Sequence, residues 1–189
     1  MATDQNLMQA TKVVTGKVRF SYVTVFQPKA VGDSADKKYS VSLIIPKKDK
    51  KTLTKIEDAI KAAIEQGEGK WGGKIPKNLK TPLRDGDEEK EDEAYEGCMF
   101  LNASAKLKPG VIDKYKREIT DEEELYSGCY GLASINFYAF DVNGNRGIAC
   151  GLNNLMKLED GEPLGGRQSA ENDFEGFFED PEDDDNLFD

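Results

Sequence analysis

Lys17, Arg19, Lys37, Lys38, Lys70, Lys74, Lys77, Lys80, Arg84 and Lys106 place cations in stretches that also hold the rings of Tyr39, Trp71, Phe100 and Tyr138 and the amide of Asn102. Such a pairing suits an unpaired polynucleotide. Cations track its phosphates, and flat rings stack on its bases at about 1–3 kcal/mol per base. The plainer reading, in which lysines solvate the surface and rings fill the core, competes at every position taken alone. Phe100 stands apart from it, because Asn102, Ser104 and Lys106 make its side of the strand polar. Phe137 and Tyr138 point to opposite faces of one strand, so at most one of them is free to stack.

A second constellation is acidic. Residues 171–189 carry ten acids and no base, with Phe174, Phe177, Phe178 and Phe188 among them and Asp183, Asp184 and Asp185 in a row. This segment has too little apolar surface to fold alone and reads as a disordered tail. It is either a solubilising extension or a stand-in for polynucleotide that competes for a basic groove and offers its rings to partner proteins. The charge is sharply divided. Residues 1–84 have 17 Lys and Arg against 8 Asp and Glu, whereas 85–170 have 9 against 18. The overall charge of −10 therefore hides a basic half and a detachable acidic end.

Other chemistries find little support. The chain has no histidine, which removes Ser-His-Asp and Cys-His nucleophiles and every His-containing zinc site. Cys98, Cys129 and Cys150 are far apart, never at CxxC spacing, and read as reduced, buried thiols. Asp85 to Glu96 is dense in carboxylates, as a metal-dependent nuclease requires, but it reads as a mobile loop without the fixed separations that two metal ions need. Gly67 to Gly73 follows a helix and lacks the Gly-Lys-Ser/Thr ending of a phosphate loop. No cofactor or metal is expected. An acidic mimic of DNA that blocks another protein is the main competitor, and the basic amino-terminal half speaks against it.

These residues must be held by something, and the periodicity says what. Val13 to Phe26 alternates, with Val14, Gly16, Val18, Phe20 and Tyr22 on the inner side. Tyr39 to Ile45 and Met99 to Leu107 alternate likewise. Lys50 to Gln66 carries an apolar stripe at helical spacing, with Asp49 as N-cap and Gly67 as C-cap. Cys129 to Asp141 and Arg146 to Leu158 form a long hairpin about Asn143-Gly144. The sum is a mainly β chain: an OB-fold-like five-stranded barrel with one inserted amphipathic helix and a disordered acidic C-terminal tail. Residues 1–11 are expected to be a flexible N-terminus, 12–165 the single-strand-binding domain and 166–189 the tail. Gly67 to Arg84 is expected to be a flexible connector.

Several blocks together resemble a known family: Thr81 to Asp87, Lys108 to Asp113, Tyr126 to Gly131, Ser134 to Phe140, Asn143 to Asn154 and Asp160 to Gly166. They are similar to the single-stranded DNA-binding proteins of tailed phages and prophages, long classed as a domain of unknown function. The resemblance runs from about Thr11 to Phe174. It implies an OB-fold, non-enzymatic binding of single-stranded DNA, and a role in phage replication and recombination. The plan is also similar to the binding proteins of short-tailed phages, whose acidic tail ends in an aromatic residue; here Phe188 is penultimate and Asp189 last. The expected partners are single-stranded DNA and, through the tail, a polymerase, primase or helicase. The long hairpin offers an edge for a homodimer. With no signal peptide and no membrane span, a cytoplasmic protein is expected.

Overall fold

The computed structural model describes residues 4–164, apart from 31, 33 and 34. The readings made on the acidic tail, including Phe174, Phe177, Phe178, Asp183, Asp184, Asp185 and Phe188, lie outside the described residues.

The strands are β1 (Lys12–Val14), β2 (Val18–Ala30), β3 (Lys37–Pro46), β4 (Arg84–Asp85), β5 (Cys98–Ala105), β6 (Gly110–Asp113), β7 (Tyr130–Val142) and β8 (Asn145–Glu159). The helices are α1 (Asp4–Ala10), α2 (Lys50–Gly67) and α3 (Gly86–Glu89), with single 3-10 turns at Glu68–Trp71 and Glu93–Tyr95. Neighbouring strands run β7-β2-β3-β5-β8, and β8 pairs back onto β7, so five strands close into a ring. The mainly β, OB-fold-like class with one long inserted helix therefore holds. β1 adds to β7, β6 to β8 and the short β4 to β5.

Inside the ring lie Phe20, Val25, Leu43, Leu101, Ala103, Ile135, Phe137 and Leu155, all buried. Burying each large apolar side chain contributes about 1.5–3 kcal/mol, so this cluster dominates the stability. Helix α2 turns Ile56, Ala59, Ile60 and Ala63 toward it and packs chiefly on β7. Asp49 caps the helix as expected, its carboxylate accepting from Thr52 N at 3.2 Å. Gly67 is the helix's last residue but keeps a right-handed backbone, so it is not the left-handed cap expected. The chain winds on through the 3-10 turn and reverses at Gly72, which takes the left-handed conformation. Gly67 is glycine for another reason: an added Cβ there would lie 2.3 Å from Ala139 Cβ.

The hairpin turns at the expected Asn143-Gly144, and each strand end lies within one residue of its expected place. Asn143 and Gly144 both have positive φ at the β7–β8 tip, as a type I′ turn demands. The first strand departs from its expected form. It breaks at Thr15–Lys17 into β1 and β2, with Val13 buried and Val14 exposed. A second phase change follows in β2. Ser21 pairs with Ser42, but the next paired residue is Thr24, opposite Ser40. The inserted residue inverts the alternation, so Tyr22 leaves the inner side on which simple alternation puts it. Residues 4–10, expected to be loose, form α1, which Gln66 of α2 ties down by donating to Leu7 O at 3.0 Å.

Candidate nucleic-acid interface

Strand pairing lays out the ring's outer face in rows, because partners across a ladder share a face. One row runs Tyr130, Arg19, Ile44, Phe100, Arg84. The next holds Ser21, Ser42 and Asn102. A third runs Thr24, Ser40, Ser104, Gly151, Asn136, Lys12 and crosses every strand of the ring before reaching β1. Gly151 gives Asn136 its space, since a Cβ there would meet the amide oxygen at 2.7 Å. Beyond that row Lys29 pairs with Lys38, and Lys106 follows β5 in the same phase. Small hydroxyl and amide groups thus floor a stripe with cations at both ends.

The covered end of this face is built by the acidic segment. Asp85 and Asp87 both accept from Lys47 Nζ, at 2.8 and 2.7 Å in their closest approaches. That bond to Lys47 holds both carboxyls below the usual carboxylate range. Held so, the segment lays Tyr95 over the sheet. Tyr95 and Phe100 are each 1% exposed and meet edge to face, centroids 5.2 Å apart, with Ile44 beside them. Phe100 is therefore not an open ring. Its side of the strand is polar further along, but this end is roofed, which composition did not reveal. The segment is accordingly a folded cover of short helical turns, not a mobile loop. No group of three or more Cys, Asp and Glu gathers for a metal among the described residues.

Trp71 is likewise not an open ring. It is 4% exposed and donates through Nε1 to Phe140 O at 3.1 Å, so the connector is pinned at its start. Lys70 donates to Ala139 O at 2.9 Å, extending the anchor. Lys74 and Lys77 are exposed. Lys80 is tied through its backbone to Arg146 and Ile148, and its amine reaches Asn145 Oδ1 at 3.4 Å. The connector thus runs along the start of β8 before pairing Arg84 with Phe100.

The remaining candidates fall out as follows. Arg19 donates to the carbonyls of Gly128 and Glu162, at 3.0 and 2.7 Å, with its guanidinium 5.3 Å from the Tyr130 ring. It lines a small pocket of about 330 Å³ together with Lys17, Lys48, Glu93 and Tyr130. Lys17 also pairs with Glu159 at 3.2 Å. Arg84 is clamped by Glu89 at 2.7 Å. Lys38, Asn102 and Lys106 share the outer face. Lys37 and Tyr39 have the opposite phase, and Tyr39 is half-buried. Of the Phe137–Tyr138 pair it is Tyr138 that faces out, 42% exposed, opposite Ala149. Burial pushes its phenol pKa up.

Two residues were missed. Tyr22 is 67% exposed on the outer face and has φ +47°, a conformation that costs a tyrosine about 1–2 kcal/mol. Lys90, from the acidic segment, has its ammonium 5.6 Å from the Tyr22 centroid, 5.5 Å from Tyr95 and 5.4 Å from Phe100. The Val23 and Val25 pattern, one residue out of step with Phe20, was the signal for the first. No signal pointed to the second, a lysine in an acidic run.

A five-stranded ring with one long helix and a polar, cation-edged outer face defines an OB-fold-like binding module. Comparison with known proteins places it more closely. Residues 11–187 match the family described as Enterobacter phage Enc34, ssDNA-binding protein. "Putative protein p50" of Acyrthosiphon pisum secondary endosymbiont phage 1 is 32% identical over 165 residues, covering 82% of this chain and 87% of its own length. The chain belongs to the Enc34 phage single-stranded DNA-binding protein family. The bacteriophage Enc34 protein solved in complex with ssDNA has a TM-score of 0.72 at 24% identity, over 83% of this chain and 91% of that one. Its C-terminal truncation gives 0.69 at 25%, over 82% and 90%. Bacteriophage T7 gp2.5, a single-stranded DNA binding protein, gives 0.59 at 15%, over 90% and 96%, a likeness of fold.

Proposed function

We propose that this protein binds single-stranded DNA with little sequence preference along the outer face of β2, β3 and β5. The carrying observation is the stripe itself. The row Thr24, Ser40, Ser104, Gly151, Asn136 has small polar groups where bases can approach the sheet closely. Cations stand where a backbone would enter and leave: Lys29, Lys38 and Lys106 at one end, Lys17, Arg19 and Lys48 at the other. Tyr138 and the Lys74–Lys80 stretch extend the path around the ring. Membership of the Enc34 family supports the same ligand.

The acidic tail competes with DNA for this face and recruits a polymerase, primase or helicase, in the service of phage replication and recombination in the host cytoplasm. The β7–β8 hairpin is the edge on which a second copy would pair. No enzymatic step is assigned to the chain. Duplex DNA binds poorly, because its bases are not free to reach the face. Fluorescence anisotropy with labelled oligo-dT at low salt tests the core reading: saturable binding supports it, and none, with or without residues 171–189, refutes it. Removing those residues tightens binding and relaxes the bias against duplex; unchanged affinity would remove the tail from the proposal and leave the face.

A further inference from the structure

We infer that Tyr22 is a nucleobase-stacking platform, and that Lys90 holds its ring and meets the adjoining phosphate; this rests on the single-strand reading above. Tyr22 is the most exposed ring on the outer face of β2, β3 and β5. It arrives there only because β2 carries an extra residue between its pairings at Ser21 and Thr24. The backbone is fixed around it: Val23 N donates to Ser127 Oγ at 3.1 Å, and Tyr22 keeps a positive φ that asparagine or glycine would adopt with less strain. Strain of this kind persists where the surroundings impose it and gathers at binding sites.

Lys90 supplies the second, independent observation. Its ammonium lies within 6 Å of the centroids of Tyr22, Tyr95 and Phe100, a cation held by ring faces on a segment otherwise rich in carboxylates. Tyr95 and Phe100 are buried, so Tyr22 is the member of this group with ring surface left to offer. Ser21 and Ser42 beside it are small and buried, and Asn102, in register with Ser42, is exposed on the same face. An unpaired base laid on Tyr22 would have Asn102 toward its edge and Lys90 toward its phosphate. The acidic segment, otherwise unexplained on a polyanion-binding face, becomes the arm that delivers this cation.

The test uses the full chain and labelled oligo-dT in anisotropy titrations across a salt series. Tyr22→Phe binds as the parent does. Tyr22→Asn, which tolerates positive φ, keeps the Tm but binds about 5- to 150-fold more weakly at an unchanged salt slope. Lys90→Met lowers the log–log salt slope by about 0.7, the value of one phosphate contact. As a measurement independent of any variant, photocrosslinking of 5-iodouracil DNA to the unaltered chain yields an adduct at Tyr22. Parental affinity in Tyr22→Asn, or crosslinks that all fall elsewhere, would overturn the inference while leaving single-strand binding intact. Absence of any binding by the unaltered chain would instead sink the underlying reading.

Discussion

Lys47 illustrates how single residues set this face. Its amine is bonded to Asp85 and Asp87 and its pKa is raised, so it stays charged across the useful range, while both carboxyls sit below their usual pKa. Groups with depressed pKa contribute stability above the unfolded value, near 3.9, and lose it as pH falls through the folded value. The urea midpoint of Lys47→Met is therefore expected below the parent's at pH 7, with the gap closing as both are titrated toward pH 3. A gap that stays constant would mean that this ion pair does not hold the segment. Phe100 and Trp71 make the converse case. Phe100→Ala removes a ring that is 1% exposed and should cost about 3–5 kcal/mol in urea unfolding. The affinity of the surviving folded protein for oligo-dT should not change. A stable variant with weakened binding would restore Phe100 as a contact residue.

At the scale of elements, what could be read in advance depended on whether the signal was local. The Asn143-Gly144 tip, the Asp49 cap and the stripe of α2 are properties of a few neighbouring residues, and each was legible. The break at Thr15–Lys17 was not, because Val14, Gly16 and Val18 continue the alternation across it, and the bulge at Tyr22 showed only in Val23 and Val25 falling out of step with Phe20. Gly67 was legible as a glycine but not in its role. Its position against Ala139 depends on β7, more than seventy residues later. Gly67→Ala should therefore destabilise by about 1–3 kcal/mol through overpacking, although alanine is the better helix former. A raised thermal midpoint would show that α2 and β7 can part at no cost. The roof over Phe100 was hidden for a similar reason. Lys47 lies 38 residues before the Asp85 that it clamps, and an acidic run alone does not show that it is pinned.

Taken whole, the molecule carries −10 and yet presents a face with cations at both ends. Net charge says little about such a chain, because screening confines each charge to its surroundings within about 8–10 Å at physiological salt. Of the residues proposed from sequence for the interface, Lys38, Asn102 and Lys106 came together on one face. Arg19 and Arg84 flank it in ion pairs or carbonyl contacts, and Lys74, Lys77, Lys80 and Tyr138 lie further round the ring. The most direct measurement is a side-by-side titration of labelled oligo-dT and a duplex of equal length from 50 to 500 mM salt. Tight, saturable binding to the single strand is expected, with affinity falling on a log–log line at about −0.7 per phosphate contacted and the duplex bound far more weakly. Equal affinity for both, or none for the single strand at the lowest salt, would contradict a face built for unpaired bases.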